Sequence, residues 1–340
     1  MKRILPLFLA LALLLTGCAA VSTTESTSQT VSQVDSPSSA LESAPESASS
    51  QLESAGEVSI TDSNGSQITL DTSAPRVVAA YGSFAEAWLL AGGQLCGVTQ
   101  DALEQRDLGL PEDIAVVGTV KEPNAEEIIA LEPDLVLLAS DITAQADIRD
   151  VLENAGLACA FFQVDTFADY AFMMEQLCAV TGREDLYEEN VTQVGQQIEE
   201  AQANAALSST RPNVLLIRAF STGIKAKTDD ELAGAILKDL GAHNIADDHP
   251  SMLEDLSLEE VIAADPDYIF VTTMGDEQKA LDYLNGLIQQ NPAWSELSAV
   301  KEDRYVVLPK DLFHYKPNNR WGESYQYLGE ILYPQLFHEE

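Results

Sequence analysis

The sequence predicts an α/β protein of two sandwich-like lobes with mainly parallel sheets, joined by a single long helix, with a ligand cleft between them. Three observations carry that expectation. A helix–strand phrase occurs twice, strand-length apolar runs alternate with helical runs, and one uninterrupted amphipathic stretch lies midway between the two copies. The phrase reads NAEEIIALEPDLVL from Asn124 to Leu137 and SLEEVIAADPDYIF from Ser257 to Phe270. Asn124 and Ser257 are suited to cap a helix, and Glu127 and Glu260, three residues on, predict a capping box in which the carboxylate reaches back to the cap's N–H. Pro133 and Pro266 end each helix, because the ring removes a donor and restricts the residue before it. Leu135–Ala139 and Tyr268–Thr272 then read as buried strands. Glu126 and Glu259 have no local bond to make; at the second helical position the helix dipole favours them, which by itself explains surface carboxylates.

The folded chain is expected from Glu57. The run VSITDSNGSQITL alternates about Asn64-Gly65 and predicts a hairpin. Arg76–Ala80 is a strand, followed by Tyr81-Gly82-Ser83-Phe84 and a helix through Leu89-Leu90 that closes at Gly92-Gly93. Cys96–Thr99 and Val116-Val117 are further strands, and the first copy of the phrase follows. Ile148–Ala155 is a helix, Ala158–Val164 a strand, and Phe167–Val180 a helix ended by Gly182. This alternation builds a parallel-type sheet covered on both faces. From Glu184 to about Leu207, Leu186, Val191, Val194, Ile198, Ala201 and Ala205 form one narrow apolar stripe. A helix of about 24 residues spans roughly 36 Å, long enough to join two lobes. The second lobe begins after Arg211-Pro212 with Asn213–Ile217, continues through Ala226-Lys227 and the helix Glu231–Leu240, and then repeats the phrase. A helix over Ala280–Leu287, a turn at Asn291–Trp294, a strand Arg304–Leu308 and a helix from Gly322 to Leu332 complete it.

At the N-terminus, Lys2 and Arg3 precede an apolar run, Ile4–Leu15, too short to span a bilayer and laid out as an export signal. Leu15-Thr16-Gly17-Cys18 resembles the lipobox of bacterial lipoproteins, which makes Cys18 the lipidated first residue of the mature chain and places the protein outside the cytoplasm on a membrane anchor. Residues 19–56, rich in Ser, Thr, Ala and Glu, cannot bury enough surface to order themselves and read as a tether. Such a coil reaches on the order of 30 Å. The expected organisation is therefore signal peptide 1–17, lipid-anchored tether 18–56, first lobe 57–182, connecting helix 183–209 and second lobe 210–340.

The chain carries 18 Lys and Arg against 55 Asp and Glu, a formal charge of −37. Without residues 1–17 the balance is 16 against 55, or −39. That excess favours solubility and argues against nucleic acid or an anionic membrane surface as partner. Cys96, Cys159 and Cys178 lack metal-type spacing and suit the core; whether two of them pair is not readable. His243 and His249, with Asp247 and Asp248 between, lie in a loop where polar caps and turns are expected, so no metal site is assigned. No nucleophile–base pair, phosphate loop or H-E-x-x-H helix is present, which argues against an enzyme and needs no cofactor.

The lipobox, the ITD-x-x-G hairpin, Arg76-Val77-Val78, the two E-E phrases ending in Pro-Asp and the strut together resemble class III substrate-binding proteins, from about Glu57 to Pro334. That family serves ABC importers of iron-siderophore, haem and cobalamin. The resemblance implies a monomer that works with an ABC permease and its ATPase, with ligand held between the lobes. One Glu on each lobe docks an Arg pocket of the permease, and by position these are Glu126 and Glu259, a task suited to directional Arg–carboxylate pairing.

Ligands of α/β lobes gather beyond the carboxyl ends of the strands, which selects Tyr81 to Phe84, Ser140-Asp141, Arg218 to Phe220, Thr272 to Met274 and His314 to Trp321. Six of the basic residues, Arg218, Lys225, Lys227, Lys310, Lys316 and Arg320, fall in two short segments of the second lobe. In so acidic a chain a local positive patch implies an anionic ligand. Phe220, Phe313, Tyr315, Trp321 and Tyr325 add flat apolar surface; the alternative is that these residues snorkel around a packed terminal helix. The ligand contacts expected are Tyr81, Phe84, Arg218, Phe220, Met274, His314, Lys316, Arg320 and Trp321, with Arg218, Lys316 and Arg320 facing the oxygens of a ferric siderophore. Haem is the alternative, with Tyr81, Met274 or His314 as axial ligand; cobalamin wants aromatic walls and fewer charges. A sensory or adhesive lipoprotein on the same fold stays open, since fold does not fix function. A single helix across the back of both lobes predicts a change of only a few degrees on binding.

Overall fold

The computed structural model describes residues 57–254 and 256–337; the expected signal peptide, the lipidated Cys18 and the tether lie outside them. In the first lobe five strands run parallel in the order Ala115–Val116, Leu95–Val98, Val77–Ala79, Leu135–Ala139, Ala158–Phe162. Alternation sends their side chains to two sides. Val77, Ala79, Leu135, Leu137 and Phe162 pack with the helices Gly82–Leu90 and Phe167–Thr181, whereas Val78, Val136, Leu138 and Phe161 pack with Ile128 and Leu152 of the helices Ala125–Ala130 and Arg149–Asn154. The expected hairpin, Val58–Thr61 with Gln67–Leu70, turns at Gly65 (φ 79°). Its Asp62 is 2% exposed, and the carboxylate accepts N–H bonds from Asn64, Ser66 and Phe161 at 3.0, 2.8 and 3.2 Å. The Asp of the ITD motif thus ties the hairpin to the strand Ala158–Phe162, covering an open sheet edge.

The second lobe has the order Gly223–Lys227, Asn213–Phe220, Tyr268–Thr273, Tyr305–Val307, with the short strand His243–Asn244 parallel to the start of Asn213–Phe220. Gly223–Lys227 alone is antiparallel, folding back on an Asn213–Phe220 strand that runs three residues beyond the expected Ile217.

The repeated phrase has a physical reason. Asp134 accepts the N–H of Arg76 at 2.7 Å and its own N–H donates to the Arg76 carbonyl at 2.8 Å. Asp267 does the same with Asn213, at 2.8 Å in both bonds. Each Pro-Asp therefore registers its strand against the first strand of its own lobe. The residue before each proline, Glu132 or Asp265, takes a left-handed conformation (φ 46° and 40°) in place of the extended one usual before proline. The accepting half of each cap forms, Asn124 taking the N–H groups of Glu126 and Glu127 and Ser257 that of Glu260, but the return half of the first capping box does not, because the Asn124 N–H donates to the Val117 carbonyl at 2.8 Å. The return half of the second capping box does not form: the Glu260 carboxylate instead accepts the Ser251 hydroxyl at 3.1 Å.

The connecting helix runs Glu184–Tyr187, passes through a π-helical segment Glu188–Thr192, and continues as Gln193–Ala206. Its stripe of Val191, Val194, Ile198, Ala201 and Ala205 is buried as expected, but not against the two lobes alone. The terminal helix Trp321–Leu332 lies along it, with the close approach at Gly322, where a Cβ would come 2.8 Å from the Gln197 Cβ. Residues from both lobes, the connecting helix and the terminal helix share one apolar core.

Candidate functional site

The carboxyl ends of the second lobe's strands gather positive charge. Strand Asn213–Phe220 brings Arg218, and the chain leaving Tyr305–Val307 brings Lys310, His314 and Lys316. Burial, reinforced by the charges of Arg218, Lys310 and Lys316, pushes the His314 pKa down to about 4. The imidazole is therefore neutral at physiological pH, and its buried Nδ1 has no partner. Each cation is anchored but not saturated. Arg218 pairs with Glu231, which also receives Lys227 at 2.8 Å, and the Arg218 Nε is left over. Lys316 reaches Asp165 on the first lobe at 3.1 Å, and Lys310 donates to the Gly275 carbonyl at 2.6 Å. Burial raises the Asp165 pKa less than the Gln163 amide and the Lys316 ammonium lower it, so it lies below the ordinary value.

The first lobe presents a different chemistry. Tyr81, at the end of strand Val77–Ala79, is half-buried, and its hydroxyl is pushed up to about 12 by burial and by Asp101, with Asp141 adding to the effect and Arg106 opposing it. Arg106 was not among the expected site residues. Its side chain is 10% exposed and paired with Glu86, and Nη2 donates to the Ser83 hydroxyl and to the Lys316 carbonyl, each at 2.8 Å. The signal was its position: Arg106 lies in the chain leaving strand Leu95–Val98, at the same carboxyl edge of the sheet as Tyr81.

Of the expected contacts, Arg218, His314 and Lys316 lie together in the second lobe, Tyr81 lies beside Arg106 in the first, and Phe220 is half-buried and Met274 exposed at the second lobe's strand ends. Three take other places. Phe84 and Trp321 are each 1% exposed and belong to the core, because the helices Gly82–Leu90 and Trp321–Leu332 turn those positions inward; Trp321 meets Phe167 edge-on. Arg320 spends both edges of its guanidinium nearby, on Glu323 at 2.7 and 2.8 Å and on Asp311 at 2.7 Å. Glu126 and Glu259 are exposed in the first turns of the two repeated helices. His243 bonds Asp248 at 2.8 Å. The thiols of Cys96, Cys159 and Cys178 are free.

Residues 77–312 match the sequence profile of the family described as periplasmic binding protein, which is more than half of the chain. The chain belongs to that family. Members of the periplasmic binding protein family bind solutes outside the cytoplasm. Over 273 residues this member is 26% identical to the Fe(3+)-citrate-binding protein YfmC of Bacillus subtilis (strain 168), covering 77% of this chain and 82% of the relative. Over 225 residues it is 22% identical to the high-affinity heme uptake system protein IsdE of Staphylococcus aureus (strain MRSA252), covering 65% of this chain and 75% of the relative. The solved structure of the siderophore binding protein BauB, bound to a complex between two molecules of acinetobactin and ferric iron, has a TM-score of 0.65 at 18% identity, over 83% of this chain and all of that one. At that identity the likeness establishes the two-lobe fold.

Proposed function

We propose that this periplasmic binding protein captures an anionic ferric chelate, a ferric siderophore or ferric citrate, and delivers it to an ABC permease and its ATPase. The observation that carries the reading is the convergence of Arg218, Lys310 and Lys316 on one buried neutral imidazole in a chain of formal charge −37. Glu231 and Asp165 each answer one of these charges, and an anion that brings several oxygens answers what is left, with charge-assisted bonds supplying affinity. The bias of the relatives toward ferric citrate, haem and siderophore fits this. Glu126 and Glu259 serve as the docking carboxylates, one on each lobe, and Cys18 as the lipid anchor. Among the described residues no helix is long and apolar enough to cross a membrane.

Haem is the second reading, favoured by one observation: the neutral His314 with its unpartnered Nδ1 is in the state that an axial ligand requires. The test is calorimetric titration of residues 57–340 with ferric citrate, ferric siderophores, their iron-free forms and haemin. Submicromolar binding of an iron-loaded anion but not its iron-free form supports the first reading; binding of haemin alone, with a Soret shift lost in His314→Ala, replaces it with the second. Silence across the panel overturns both. Tryptophan quenching is the weaker probe, because Trp88, Trp294 and Trp321 are all buried in cores.

A further inference from the structure

Lys316, Asn318 and Asn319 belong to the second half of the chain, yet their side chains bond to the first lobe and the connecting helix. Asn318 is the centre of this docking. It is 0% exposed and held at φ 52°, in the left-handed region where a non-glycine residue is uncommon. Its Nδ2 donates to the Ser83 carbonyl at 2.9 Å and to the Glu86 carboxylate at 2.6 Å. Arg106 pairs with the same carboxylate and holds the Lys316 carbonyl at 2.8 Å. One residue further, Asn319 donates to the Asn190 side chain at 3.0 Å; Asn190 sits in the π-helical segment, 5% exposed, and donates in turn to the carbonyls of Leu90 and Leu186. Two buried asparagines, Asn318 and Asn190, a largely buried Arg106–Glu86 pair and a strained backbone would be a poor choice for mere packing, since a buried polar atom without a partner, as the Asn318 Oδ1 is, costs stability. Backbone strain persists where the surroundings over-determine it, and such positions cluster where geometry matters to function.

We propose that Asn318 and Arg106 are positioning residues for the ligand cleft. They fix the segment His314–Lys316 to the first lobe before ligand arrives, so that the second lobe's cations and the first lobe's Tyr81 wall form one preset site. A site that is already assembled loses nothing to the fraction of molecules in which it is not. The consequence is that loosening the knot lowers the rate of capture, through the population of competent molecules, while the contacts that hold bound ligand are unchanged.

This inference rests on the proposed site, and its test separates the two. Backbone hydrogen exchange of the full chain without ligand reads the knot directly. Asn318→Asp sets a carboxylate against Glu86 and is expected to speed exchange of amides in 314–320 by about tenfold or more. Adding Glu86→Gln to that variant removes the contact of two carboxylates, but leaves the new carboxylate facing the Ser83 carbonyl and Arg106 without its ion pair, so exchange is expected to stay above that of the parent. Asn318→Gly keeps the left-handed backbone without strain but deletes both donated bonds, so it too exchanges faster even if Asn318→Asp folds poorly. Stopped-flow binding of ferric citrate then shows a reduced association rate with a nearly constant dissociation rate in the loosened variants. Exchange in 314–320 equal to the parent's in both single variants, or an association rate equal to the parent's in a variant whose exchange is faster, overturns the proposal. If the parent fails to bind ferric citrate but the exchange pattern holds, the knot stands and the ligand assignment falls.

Discussion

At their bases the two lobes make the same bonds with different residues. Asp134 clamps Arg76 and Asp267 clamps Asn213, with N–H to carboxylate distances of 2.7 and 2.8 Å; Gly92 and Gly241, at φ 85° and 82°, end corresponding helices; and the corresponding strands run in one order. At the cleft they diverge. The first lobe turns at Tyr81 directly into a helix and offers hydroxyl and carboxylate groups with a single well-buried cation, Arg106. The second lobe prolongs the corresponding strand to Phe220 and folds it back through Gly223–Lys227, which sets Arg218 opposite Lys225 and gathers the cations there. The two lobes share the frame, and the cations lie on one side of it.

If the duplicated features serve a duplicated task, Glu126 and Glu259 are equivalent. Charge reversal of both, Glu126→Lys with Glu259→Lys, is expected to abolish import in cells supplied with the cognate permease while leaving the dissociation constant for ligand within twofold of the parent's, roughly the effect of an exposed charge. Each single reversal should cost a similar share of transport. A large loss from one and none from the other would break the equivalence of the lobes at the level of function.

The next largest effect concerns what is not duplicated. Lys316→Glu is expected to weaken binding of an anionic chelate by about a hundredfold, in the range for removing one partner of a buried charge pair. Its first-lobe partner behaves oppositely: Asp165→Asn frees the Lys316 ammonium, so affinity should hold or rise. Equal losses in both variants, read by calorimetry, would mean that the ion pair serves the structure and that the cleft has no positive side.

Much of this was legible in the chain because it is local. Caps, prolines, Asn64-Gly65 and the alternation of apolar runs are written within a few residues of the elements they control, and the repeat made the two-lobe plan readable. The site was less legible because burial is decided by distant partners. Phe84 and Trp321 carry the aromatic surface a ligand would use, but helix phase turns them into cores built from residues as remote as Phe167. Arg320 and Lys316 are alike as cations four residues apart in sequence; only the fold gives the first a pair of acidic neighbours and aims the second across the cleft. Arg106 was missed since its importance lies in a bond to Lys316, which no local pattern records.

The asymmetry also has a titration signature. The folded pKa of His314 lies at about 4, below its unfolded value of about 6.5. Between those values the unfolded chain binds a proton that the native one does not, so this residue's contribution to stability is complete above the unfolded pKa and is lost as pH falls toward the folded one. From pH 7 to pH 5 the loss is about 2 kcal/mol. His314→Gln should flatten that part of the profile in chemical denaturation, while Asp165, with its lowered pKa, titrates below the window. A variant whose stability falls as steeply as the parent's from pH 7 to pH 5 would show that the imidazole is not held neutral by burial and the neighbouring cations.

The smallest effect tests the likeness itself. Asp134→Ala and Asp267→Ala each remove one carboxylate that accepts a backbone N–H at the rim of a sheet, while the reciprocal backbone bond remains. Both sites are exposed, so water replaces part of what is lost, and each substitution is expected to cost about 1.5 kcal/mol, the lower end for a hydrogen bond to a charged group. The two sites are far apart in the chain and share no partner, so the double variant should lose the sum. Similar losses, measured by urea denaturation, make the Pro-Asp clamp a property of the repeated frame rather than of either lobe. A loss confined to Asp134→Ala would instead say that the first lobe's all-parallel sheet depends on the clamp for its register, and that the second lobe, with its antiparallel hairpin strand, has acquired another way to set it.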